Sequence, residues 1–178
     1  MKTLTHSKTS RSKTNPSRHV AVSRSIFTEI KKEHAEFRKA MKRITRVYER
    51  DPETAKIAYL DFQIRLRAHA DAEEATLYPY LLEKTVVGTK LDDQVREGVE
   101  EHHLGNLLAN ELDQISPGDP KWKAKFRVLT ESVEHHLDEE EDYFKRWRRF
   151  LSPSEDRLVH DRFLAARESN RKRALMAH

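Results

Sequence analysis

No cysteine occurs among the 178 residues. That absence removes disulfides, thiol catalysis and every thiolate-based zinc or iron–sulfur site, so any metal must be held by nitrogen and oxygen donors. Glycine is scarce, with four residues, while 36% of the chain is charged, a balance that favours helices over strands. No apolar run approaches the roughly 20 residues that cross a bilayer, and the first residues lack the continuous apolar core of a secretory signal. The length suits one domain with a sizeable core and tails.

Acid is missing from one end. Residues 1–28 hold six Lys/Arg and no acidic residue, and residues 145–178 hold ten against four. The middle is acidic, so the net +4 describes the ends more than the core. Basic ends can solubilise, or make weak contact with nucleic acid or an acidic surface.

What is present is helical punctuation. Residues 1–22, rich in Ser, Thr, Lys and Arg, read as a disordered basic tail. A first helix starts near Ser23 or Ser25 and ends at Asp51-Pro52. A second runs from about Glu53 to Lys84 with a kink at Pro79, and Gly88 marks the next turn. A third spans about Leu91–Ile115, Ser116–Pro120 is a loop, and a fourth continues to about Leu151. Ser152-Pro153-Ser154-Glu155 caps a shorter fifth helix, where Val159 and Phe163 can dock and Arg171-Lys172-Arg173 frays. The expected fold is all-α: an up-down-up-down four-helix bundle over 23–151, with a C-terminal helix and basic tail at 152–178.

One face of the second helix carries Tyr59, Phe62, Leu66, His69, Glu73, Leu77 and Tyr80 at helical spacing. Adding 67 to each number gives Phe126, Leu129, Val133, His136, Glu140, Phe144 and Trp147, so the pattern repeats, histidine and carboxylate included. The first helix has one histidine in its stripe, His34, between Ile30 and Phe37. The third has His102, on a face made small and polar by Gly105 and Asn106.

These polar residues should meet. In an antiparallel bundle, residues equidistant from a turn lie at one height. The midpoint of His34 and His69 falls at Asp51-Pro52, that of Glu73 and His102 beside Gly88, and that of His102 and His136 within Pro117–Pro120. His34, His69, Glu73, His102, His136 and Glu140 therefore form one buried layer. A hydrogen-bonded His–Glu network could account for some of them. Four imidazoles and two carboxylates able to bridge suit a dinuclear centre of iron or manganese, with zinc as a further candidate. Such a donor set leaves positions for dioxygen, peroxide or water. His103 and His135 lie about 100° off the stripe and read as outer or surface groups. His6, His19, His160 and His178 read as solvent-exposed. Tyr80 reads as core, and Tyr78, off the stripe, has no assignment.

Glu33-His34, His69-x-x-x-Glu73-Glu74 with Leu77-Tyr78-Pro79, Glu101-His102, and His136-x-x-x-Glu140-Glu141 resemble the hemerythrin-like family, the HHE cation-binding domain, over about residues 23–151. The resemblance implies a four-helix bundle with a non-haem, carboxylate-bridged centre of two iron ions. It implies the six residues above as ligands and a role in binding oxygen or sensing oxygen, iron or redox state. Oxygen carriers of this family have a second histidine four residues from the first on the third helix; here those positions are Gly98 and Asn106. Their last carboxylate lies five residues after its histidine, at Glu141 here, whereas Glu140 preserves the internal repeat.

The leading expectation is a di-iron protein binding or sensing oxygen or a related small redox molecule. The alternative is a di-iron enzyme that consumes peroxide or nitric oxide. A third reading is a metal-stabilised interaction module with basic tails. The family resemblance and lack of an export signal point to the cytoplasm.

Overall fold

The computed structural model describes residues 25–177 and, among them, only helices and turns. Helix α1 spans Ile26–Tyr48, α2 Pro52–Ala75, α3 Leu77–Glu83, α4 Lys90–Asp113, α5 Pro120–Trp147 and α6 Pro153–Ala177, with a 3-10 turn at Arg148–Phe150. The basic tail expected at 1–22, and His6, His19 and His178, lie outside the described residues.

Local chemistry explains the helix starts. Asp51 accepts from the Thr54 amide at 3.0 Å, and Pro52 follows at the first helical position. Asp119-Pro120 repeats the device at α5, with Asp119 accepting from the Lys121 amide at 2.8 Å. Before α4, Gly88 takes φ 80°, a left-handed conformation open to glycine, and Thr89 caps the helix. At α6, Ser152 and Glu155 exchange bonds: the Ser152 amide donates to Glu155 at 2.7 Å and the Glu155 amide to Ser152 at 3.3 Å.

Contacts between helices descend in register. His34 meets Glu141 while Tyr48 stacks on Trp122; Tyr59 donates to the Ala109 carbonyl while Glu74 meets His102; Glu101 meets His136 while Lys125 meets Glu111. Each such pair runs antiparallel, and α1, α2, α4 and α5 close a ring. Its interior holds two apolar clusters, one around Phe27, Leu77, Phe144 and Trp147, the other around Phe37, Tyr59, Trp122 and Phe126. A polar layer separates them.

Two expectations about the helices are corrected. The second helix breaks at Thr76 (φ −135°, ψ −69°), three residues before Pro79. Proline lacks an amide hydrogen and its ring collides with the carbonyl four residues earlier, here that of Ala75, so the disruption falls upstream of the ring. The C-terminal helix is also not short. It has 25 residues, second only to the 28 of α5, and continues through Arg171-Lys172-Arg173. It packs along α2 and α1, buries Val159 and Phe163, and its Asp156 accepts from the Ile26 amide at 2.8 Å, supplying the cap that Ser25 does not. His160, expected at the surface, is buried because it lies on this docked face.

Candidate metal centre

The polar layer is formed by the six residues expected to meet there. His34 comes from α1, His69 and Glu73 from α2, His102 from α4, and His136 and Glu140 from α5; all are buried. Ligand atoms of His34, His69 and Glu73 lie within 4.8 Å of one another, and so do those of Glu73, His102 and His136. Glu73 thus belongs to both groups. One of its oxygens is 3.1 Å from His69 Nε2 and the other 3.4 Å from His102 Nε2. Glu140 mirrors it, with Oε2 at 3.4 Å from His34 Nε2 and Oε1 accepting from the Tyr78 hydroxyl at 3.2 Å.

Every inner imidazole turns its other nitrogen to an outer carboxylate on a neighbouring helix. His69 Nδ1 donates to Glu33 at 2.8 Å, His102 Nδ1 to Glu74 at 2.9 Å, His136 Nδ1 to Glu101 at 2.8 Å, and His34 Nδ1 to Glu141 at 3.1 Å. Each acid adjoins a member of the inner layer in sequence but serves the next helix round the bundle. These bonds fix the ring orientation and aim Nε2 inward, as outer carboxylates do for metal-ligating histidines.

The inner atoms fit a cation better than each other. His34 Nε2, His69 Nε2, both oxygens of Glu73 and Oε2 of Glu140 are buried without a hydrogen-bond partner. Leaving such atoms unpaired costs about 1–3 kcal/mol each, more when charged. His102 and His136 face each other through Nε2 at 3.0 Å. With both Nδ1 atoms donating outward, two neutral rings would oppose lone pairs there. A proton relieves that conflict, and so does a metal ion.

The electrostatics show the protons a cation would displace. Burial opposes a charged ring at His102, but the neighbouring carboxylates of Glu73 and Glu74 outweigh it and raise its pKa to about 9. His69 is also raised: burial acts against it, and the charge of Glu73 prevails. Glu73 is held below the usual carboxylate range, because His69 and His102 overcome its desolvation.

The sequence model of the Hemerythrin HHE cation binding domain matches residues 25–147. The chain belongs to this family. No curated protein and no solved structure matches the chain. Family membership implies cation binding, and the two His/Glu groups supply donors for it.

Other residues fall into place around the family's layer. Tyr78, without an assignment from sequence, is fully buried, stacks on His102 at 5.5 Å and bonds Glu140. The break at Thr76 turns it inward, while Tyr80, expected in the core, is left half-buried at its edge. Gly98 makes the room, since a Cβ there would lie 2.8 Å from the phenolic oxygen. Burial and the nearby charge of Glu140 push the Tyr78 pKa well up, so the hydroxyl keeps its proton. His103 and His135 are exposed. Glu141 reaches His34 Nδ1 and Arg38, and does not enter the inner layer. In sequence, Glu33, Glu74 and Glu101 stand only as motif neighbours of layer residues and Glu141 as the carriers' alternative carboxylate; which histidine each serves is set by the bundle.

Proposed function

We propose that His34, His69, Glu73, His102, His136 and Glu140 hold two iron ions and that the chain binds or senses oxygen or a related small redox molecule. His34 and His69 would hold one ion and His102 and His136 the other, with Glu73, which belongs to both donor groups, and Glu140 supplying the carboxylate oxygens. The observation that carries this reading is the convergence of buried inner atoms without hydrogen-bond partners while all four Nδ1 atoms are engaged outward. Nitrogen and oxygen donors suit iron or manganese. When bound, the iron pair would supply reversible electron exchange with a small oxygen or nitrogen species. The chain's own groups orient the imidazoles, exclude bulk water and hold a proton at Tyr78 Oη.

A second reading is consumption of peroxide or nitric oxide, for which the Tyr78 hydroxyl, at the edge of the layer on Glu140, would serve as a hydrogen-bond donor. The two readings separate in the visible spectrum of the iron-loaded, reduced chain exposed to oxygen. A band that forms and clears as oxygen is removed supports binding. A band that bleaches while added peroxide disappears supports turnover. A folded chain that takes up no metal, with His69→Ala leaving its stability unchanged, would sink both.

None of the helices among the described residues is long and apolar enough to cross a membrane. Part of the basic C-terminal charge is used internally, since Arg167 pairs with Glu29 and Glu33. A contact of the basic ends with nucleic acid or an acidic surface belongs to the third reading, which predicts binding that weakens with salt.

A further inference from the structure

Beside the layer lies a cavity of about 40 Å³, bordered by His69, His102, His136, Gly105, Asn106 and Arg67. By a comparable measure a water needs only about 10–15 Å³, so this space admits a ligand of two or three heavy atoms. Gly105 and Asn106 of α4 line it one turn beyond His102. The half-buried Arg67 of α2 is fixed at its edge: Nε donates to Asn106 Oδ1 at 3.2 Å and Nη2 to Asn110 Oδ1 at 2.9 Å. Two carboxamides of α4 therefore pin a permanent cation beside the space. Glu101, the acid at the same cavity, is bonded to His136.

We infer that this cavity is the seat and access route of the exogenous ligand, on the His102/His136 side, and that Arg67 makes it selective for small anions over neutral molecules of the same size. The inference rests on the iron reading above. A guanidinium held by two carboxamides keeps its position, with Asp71 the nearby acid whose charge it shares, and charge-assisted contacts to an anion are roughly twice as strong as neutral ones. Asn106 Oδ1 accepts from Arg67, which leaves its amide nitrogen as the donor it can offer.

The test uses the full, iron-loaded chain, with azide as the anionic probe of the oxidised form and nitric oxide as the neutral probe of the reduced form, both read optically. Arg67→Gln is expected to weaken azide binding about tenfold, the loss of one charge-assisted contact, and to change nitric oxide binding less than about twofold. Gly105→Leu, at a position where a Cβ meets nothing within 4 Å, is expected to weaken or slow both probes by occupying the space. Unchanged azide binding in Arg67→Gln at full iron content overturns the anion selectivity. Unchanged binding of both probes in Gly105→Leu overturns the cavity as the ligand's seat. Should Gly105→Leu fail to fold, the azide-against-nitric-oxide contrast in Arg67→Gln decides alone. A wild-type chain that takes up no iron overturns the metal reading and this inference with it, a result distinct from intact iron with unmoved probe affinities.

Discussion

The two halves of the polar layer have matched donors and unmatched surroundings. His34 and His69 are 0% and 1% exposed, His102 and His136 8% and 7%. Over the first pair lies α6, with Phe163 edge-on to His69 at 5.7 Å and Arg167 gripping Glu33, the acid that orients His69. Beside the second pair lie Arg67, Tyr78 and the cavity, which His102 and His136 line together with one edge of His69, while Leu104 and Leu107 of α4 stay exposed. An internally repeated bundle thus yields one closed half and one open half. The donors are repeated, while the helix outside the repeat covers only one of the two pairs.

The largest effect should come from removing what the halves share. Glu73→Ala is expected to drop iron from about two per chain to near zero, while His136→Ala, confined to the open half, should leave about one, as measured by elemental analysis. Next comes the cover. Phe163→Ala should cost about 3–5 kcal/mol in urea unfolding of the metal-free chain, and Leu107→Ala on the open face no more than about 0.5 kcal/mol. Equal costs would erase the contrast.

Smaller effects probe the open half alone. Gly98→Ala puts a Cβ 2.8 Å from Tyr78 Oη. It should cost about 1–3 kcal/mol and move the phenol off Glu140, seen as a shifted tyrosine absorption in the ultraviolet. The gentlest effect is graded with pH. The folded His102 pKa is raised to about 9 from 6.5, so its contribution to the metal-free fold is fully present below 6.5 and lost as pH rises through 9. Thermal unfolding of the metal-free chain should therefore show declining stability across that window. The metal-loaded chain should gain over the same range, because cation and protons compete for the same nitrogens.

Much of this was legible in the sequence. Proline and glycine marked the turns at Asp51-Pro52, Gly88 and Pro117–Pro120, and equal distances from those turns indicated which histidines share a layer. Helix α6 was underestimated because its buried face includes His160 and Asn170 beside Val159 and Phe163, which breaks the apolar period. Tyr78, without an assignment from sequence, is buried at the layer, and Tyr80, expected in the core, sits at its edge, because a continuous helical period does not hold through Thr76, where the backbone departs from the helix. The outer acids illustrate a different limit. Glu33, Glu74 and Glu101 each look like an ordinary neighbour of a layer residue and Glu141 like the carriers' alternative carboxylate, and only the sense of rotation around the bundle shows which histidine each one serves.

The central claim is that six side chains form two joined ion sites, and iron stoichiometry tests it most directly. The purified chain would be loaded with ferrous iron without oxygen, desalted and assayed for iron per chain, beside His34→Ala and His136→Ala. About two ions in the wild type and about one in each variant is the predicted result. No retained iron in a folded wild type, or equal iron in all three, would contradict it.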